Sequence, residues 1–180
     1  LYKIDGNLFA GCSSDHQNLR NQTIEEKPSI ILVGGRFPLY LSLQQFDNKE
    51  GGVEGGRWHT FKSENKTTFE EEFKKTIQLL ISEGHQVVLT YPIPEVGVHV
   101  PKYIFKVTKG KQLSDVMENF KPLTTSSLVY KERSASTFEL FDSIQSPNLH
   151  RAYPHTLFCD KQIKGRCVTH DNDDVFYADG

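Results

Sequence analysis

The stretch TTFEEEFKKTIQLLISEGHQVVLTY, residues 67–91, decides the fold class. Thr67 and Thr68 each stand three positions before a glutamate, Glu70 and Glu71. At that spacing a threonine hydroxyl and a glutamate carboxylate satisfy each other's backbone N–H groups at a helix start. Phe69, Phe73, Thr76, Ile77, Leu80 and Ile81 then recur on one face, and Gly84 offers the left-handed stop, so a helix is predicted over Phe69 to Glu83. Gln86 to Tyr91 follows at once as a continuous apolar run closed by Pro92-Ile93-Pro94. Upstream, Ser29 to Val33 is a second such run, closed by Gly34-Gly35. Runs without polar alternation suit strands buried on both faces. Strand, helix and strand with short joints make a right-handed crossover unit. The expected class is α/β with a mostly parallel sheet.

Away from this unit the signals weaken. Glu95 to Leu128 reads as a long excursion broken by Pro101, Gly110 and Pro122, with one short helix near Leu113 to Phe120. Ser134 to Ile144 reads as helical, with Phe138, Leu140, Phe141 and Ile144 as its apolar set. His155 to Cys159 and Val175 to Ala178 read as short apolar, strand-like runs. Asn48 to Gly56 carries four glycines among charges and reads as a mobile loop; no strand runs directly into it, which argues against a phosphate cradle.

With 180 residues and 37% hydrophobic content the chain can bury one core, and one domain is the working assumption. Its 21 basic and 23 acidic residues are spread along the whole sequence, so no basic stripe points to nucleic acid or anionic lipid. No apolar run is long enough to cross a bilayer, and no signal peptide opens the chain. Cys159 and Cys167 bracket a polar loop that suits a disulfide better than zinc, and a bridge is favoured over free thiols. A bridge implies an oxidising compartment. Cys12 is left over, and the Asn-x-Thr triplets at Asn21 and Asn65 are too common by chance to carry weight.

Two places invite chemistry. Val175 to Ala178 leads into Asp179-Gly180, and an aspartate at the carboxyl end of a parallel strand is where doubly wound sheets place working groups. The plainer reading is a surface turn. At Gly34-Gly35-Arg36 the glycines would let backbone N–H groups approach a ligand as oxyanion donors, against the plainer reading of a tight turn leaving the strand. The seven histidines (His16, His59, His85, His99, His150, His155 and His170) show no metal-ligand spacing and read as packing or surface residues, as do Ser13 and Ser14. Trp58, Tyr40, Tyr91 and Tyr103 have the chemistry to stack on sugar rings, but core packing is the commoner use of such residues.

In order, the segments KPSIILVGGRFPLY (27–40) and GHQVVLTYPIPE (84–95), the Cys159 and Cys167 pair, and VFYADG (175–180) resemble the SGNH domain fused to acyltransferase family 3 membrane proteins. The resemblance runs roughly from Lys27 to Gly180. It implies a three-layer α/β/α, flavodoxin-like fold, and residues 1–180 as part of one such domain, truncated before residue 1 and after residue 180. The family decorates bacterial surface polysaccharides, typically by O-acetylation of lipopolysaccharide O-antigen. It implies an extracytoplasmic, periplasmic domain tethered to the inner membrane, an acyl donor delivered by an integral-membrane acyltransferase domain of the same polypeptide, a polysaccharide acceptor, and no cofactor. The family's serine lies in a Gly-Asp-Ser block, absent here and expected upstream of Leu1. Asp179 matches the aspartate of its Asp-x-x-His block, with the histidine expected beyond Gly180. Where broader SGNH hydrolases carry an asparagine oxyanion donor, this chain has Gly34-Gly35-Arg36-Phe37, so backbone N–H groups or Arg36 would serve. A free-standing carbohydrate esterase using the same chemistry with water, and a non-catalytic polysaccharide-binding module, are the alternative readings.

Overall fold

The computed structural model describes residues 2–4, 7–8, 18, 21–23, 27–55, 59–61, 68–111, 122–171 and 174–177. The chain divides into two compact units. The first combines residues 1–44, 56–92 and 134–153, and the second residues 45–55, 93–133 and 154–180.

In the first unit, strands β3 (Ile30–Val33), β5 (Gln86–Thr90) and β7 (Leu149–Ala152) form a parallel sheet in the order β3-β5-β7. Ile31 pairs with Val87 and Val87 with Leu149. Helix α2 (Phe69–Ser82) runs into β5 through a short joint as the sequence predicts, but the expected short joint from β3 to the helix is corrected: the helix α1 (Phe37–Ser42) and the strand β4 (His59–Phe61) lie between them. Its capping box is present at Thr68: the hydroxyl accepts from Glu71 N–H at 3.2 Å and the Glu71 carboxylate accepts from Thr68 N–H at 3.0 Å. Thr67 lies outside the described residues. Gly84, at φ +91°, turns the chain into β5, a backbone angle that L side chains rarely adopt. His85 is buried at this joint, where its Nδ1 accepts from Ser29 N–H at 3.1 Å and ties the entry of β3 to that of β5. A separate antiparallel sheet orders β2 (Asn7–Leu8), β1 (Tyr2–Ile4) and β4 (His59–Phe61).

Packing is one-sided. The core joins Val87, Leu89 and Leu149 of the sheet to Phe37 of α1 (Phe37–Ser42), Ile77 and Leu80 of α2, and Leu140 and Phe141 of α4 (Ser127–Asp142), with Ile31 and Val33 packed against it. The rings of Phe37, Phe73 and Phe141 meet at 5.0–5.3 Å between centroids. Each fully buried side chain of this kind contributes about 1.5–3 kcal/mol. The opposite face of β3 is bare, with Ile30 77% and Leu32 70% exposed. The expectation that this strand is buried on both faces is therefore corrected. Among the described residues β3 is an edge strand covered on one side, and β5, paired on both edges, is the central one.

Several elements differ from the sequence reading. Helix α4 begins at Ser127, seven residues before the predicted start at Ser134; its first two turns bury Ser127 and Tyr130 and expose Leu128, so no apolar period marks them. Within the presumed excursion, α3 (Val100–Thr108) was missed. Pro101 occupies its first turn, where a missing N–H costs nothing, and the His99 ring caps it by accepting from Lys102 N–H at 3.3 Å. The short helix expected near Leu113 lies outside the described residues. His155–Phe158 is one helical turn, α5, not a strand.

In the second unit β6 (Thr124–Ser126) pairs antiparallel with β8 (Arg166–Val168). Arg166 donates from both terminal nitrogens to Glu50, at 2.5 and 2.6 Å, and from Nε to Thr124 Oγ1 at 2.8 Å. The paired carboxylate holds the guanidinium pKa above its ordinary value. The glycine-rich segment is a built turn instead of a mobile loop. Asn48 Oδ1 accepts from Glu50 and Gly52 N–H groups at 2.8 Å, its Nδ2 donates to Val96 O at 3.0 Å, and Asp47 bridges Val53. Gly97, at φ +80°, passes so close that a Cβ there would sit 2.4 Å from Gly52 O.

Candidate functional site

Parallel pairing aligns the carboxyl ends of β3, β5 and β7 along one edge, and ligands of open α/β sheets bind outside that edge. Gly34, Gly35 and Arg36 leave β3 there, before α1 starts at Phe37. All three are exposed. The Arg36 carbonyl accepts from the N–H groups of Leu39 and Tyr40, at 3.0 and 3.3 Å, so the first turn of α1 fixes its backbone.

Neither glycine has a positive φ. A Cβ on Gly34 would meet Thr90 Cβ at 3.6 Å and one on Gly35 would meet the Phe37 ring at 3.5 Å, both ordinary contacts. The backbone thus requires glycine at neither position. Beside Gly34, the Thr90 Oγ1 is buried and has no hydrogen-bond partner among the described residues. Sequence reasoning passed over Thr90, and its one signal was a hydroxyl ending an otherwise apolar strand.

Tyr91, the next residue, is 1% exposed and belongs to the core, so it offers no sugar-stacking face. Its hydroxyl donates to Asp142 and accepts from Arg151 Nε at 3.2 Å. Arg151 Nη2 also donates to the Phe141 and Ile144 carbonyls, at 3.3 and 2.6 Å. A cation there binds carbonyls at and just beyond the end of α4, and complements the negative end of its dipole. Burial, reinforced by the bond to Asp142, raises the Tyr91 pKa well above the ordinary phenol value. The phenol is a structural tie between β5, β7 and α4, and it stays protonated near neutrality. Tyr40 also packs against the core. Tyr103 lies on α3, and Trp58 lies outside the described residues.

Asp179 lies outside the described residues, so its place is not given by geometry. The run before it is not a parallel strand. Asp174–Val175, β10, pairs antiparallel with β9 (His170–Asp171), Val175 facing His170. Only Asn172 and Asp173 separate the two, the length of a hairpin turn, whereas a parallel return needs a dozen or more residues. The Tyr177 hydroxyl donates to Pro94 O at 2.5 Å.

Cys159 and Cys167 form a disulfide with Cα atoms 3.8 Å apart, and the two residues also face each other as an antiparallel bridge. The Asp160 carboxylate accepts from Gly165 N–H at 2.6 Å inside this loop. Of the described histidines, His85 and His99 serve joints and caps as above, and His150 bonds Gln86 Oε1 at 2.8 Å. His155 and His170 are pushed below the ordinary imidazole pKa, each chiefly by burial; Lys131 adds to this at His155, and Asp171 opposes it at His170. His16 and the side chain of His59 lie outside the described residues.

The model of the SGNH domain (fused to AT3 domains) matches residues 4–180. The chain belongs to that family. Comparison with curated proteins and with solved structures gives no match. The family's fusion to acyltransferase 3 domains sets this SGNH domain in an acyltransferase context, and its α/β class agrees with the parallel sheet. No helix among the described residues is long and apolar enough to cross a membrane.

Proposed function

We propose that this SGNH domain is the extracytoplasmic part of a membrane acyltransferase and passes an acyl group, most simply acetyl, to a hydroxyl of a cell-surface polysaccharide. The observation that carries the reading is the family match over residues 4–180, with its described fusion to acyltransferase domains. The Cys159–Cys167 bridge supports an oxidising compartment.

A serine upstream of Leu1 attacks the donor's acyl carbon, and a histidine beyond Gly180 takes its proton. Asp179 holds that imidazole in the required tautomer. The tetrahedral oxyanion accepts hydrogen bonds from the backbone at Gly34 and Gly35, from Arg36, or from the Thr90 hydroxyl, and collapses to an acyl-serine as the leaving group regains the proton. A sugar hydroxyl then attacks the ester and gives its proton to the histidine, which restores the serine. Water in place of the sugar gives the esterase alternative. Among the described residues the outer edge of β3 carries no strand, which leaves room for a serine-bearing strand to join there.

The test is acetyl release from an activated ester to water and to a sugar acceptor. The 180-residue chain is expected to be inactive, and a polypeptide extended at both ends active. In the latter, Asp179→Asn lowers turnover by about 10⁴. Arg36→Ala lowers it by about 10²–10³ if Arg36 meets the oxyanion. Wild-type rates in Asp179→Asn remove Asp179 from the site.

A further inference from the structure

We infer that helix α3 is a docking surface for an anionic phospholipid membrane. The even charge balance of the whole chain, net −2, conceals one segment of opposite character. From Val96 to Lys111 there is no aspartate or glutamate, while Lys102, Lys106, Lys109 and Lys111 are present. Helix α3 buries Val100 and Thr108. Lys102, Phe105 and Lys106 follow the i, i+3, i+4 spacing of one face of α3, Lys109 caps its C-terminus in the left-handed conformation, and all four are exposed. Phe105, in the middle of these lysines, is 69% exposed, and Val98 and Val107 are also solvent-exposed.

Surface lysines on helices ordinarily stand beside acids three or four positions away, and here the segment supplies none. A phenyl ring projecting among cations matches the interfacial arrangement, in which the ammonium groups meet lipid phosphates and the ring enters the boundary of the acyl chains. An acidic polysaccharide would satisfy the lysines and can stack a sugar ring on Phe105, but it offers no apolar phase to the exposed aliphatic side chains of Val98 and Val107, which a bilayer interface does. Membrane attachment of the domain, which belongs to the proposed function, would hold α3 at high effective concentration near lipid; the chemistry of the helix does not depend on it.

The experiment is co-sedimentation of the 180-residue chain with vesicles of phosphatidylcholine alone and with about a third phosphatidylglycerol. Binding is expected to the mixed vesicles only, and to be released by salt. At about fivefold per lysine, Lys102→Glu, Lys106→Glu and Lys109→Glu together weaken it roughly 10²-fold or more. Phe105→Ala weakens it about tenfold and keeps the salt dependence. Thermal melts confirm that both variants are folded. Wild-type binding by the charge-reversed chain, equal binding to neutral vesicles, or retention on an acidic polysaccharide without vesicle binding overturns the inference. Vesicle binding by a longer polypeptide that transfers no acyl group retains this surface and overturns the enzymatic reading instead.

Discussion

Substitution of Gly34 or Gly35 by alanine separates what the fold needs from what the chemistry needs. Neither residue has a positive φ, and the added methyl would meet only ordinary contacts, at 3.6 Å from Thr90 Cβ or 3.5 Å from the Phe37 ring. Where the native backbone suits an L residue, Gly→Ala stabilises by about 0.4–1 kcal/mol by narrowing the unfolded ensemble. For a chain of this size that is a rise in Tm of roughly 1–4 °C. A methyl on the backbone that receives the oxyanion would block its approach, at about the cost of one lost donor, 10²-fold or more in turnover. Thermal melts of the 180-residue chain and acetyl-transfer rates of the extended polypeptide measure the two effects separately. A loss of more than about 2 kcal/mol would show that the backbone requires the glycine, and unchanged turnover with unchanged stability would remove the glycine pair from the site.

Three further outcomes follow from the geometry. Asn48→Ala leaves the buried Gly52 N–H, the partly buried Glu50 N–H and the Val96 carbonyl without the amide that joins them, and should cost about 1–3 kcal/mol in urea unfolding, whereas an Asn48 variant that melts like wild type would make the turn self-sufficient. Paired Cys159→Ser and Cys167→Ser should lower stability by roughly 2–3 kcal/mol, the scale for so short a closed loop, and reductant should reproduce this in the wild type and leave the variant unaffected. His155 and His170 have folded pKa values below the unfolded one, so the unfolded chain binds more protons as pH falls below about 6.5; stability is full above that pH and declines beneath it, and a stability profile flat from pH 7 to 5 would contradict their burial.

The sequence by itself determined the unit from Thr68 to Thr90, because capping, 3.6-residue periodicity and the glycine stop all act within a few contiguous residues. It also placed Gly34 to Arg36 at the carboxyl end of a strand and paired Cys159 with Cys167 by spacing. Only the tertiary structure decided which strand faces are covered: Ile30 and Leu32 are as apolar as Val87 and Leu89, yet the former stand in solvent and the latter in the core. It likewise put Ser134 and Thr137 inside α4's buried stripe, made Asn48 the hub of a turn, folded Val175 back on His170, and set the Thr90 hydroxyl beside Gly34. The division is physical. Local rules fix backbone conformation, but whether a side chain is buried or joined to a partner depends on elements distant along the chain, such as the helices that converge on one side of the sheet and leave the other side of β3 bare.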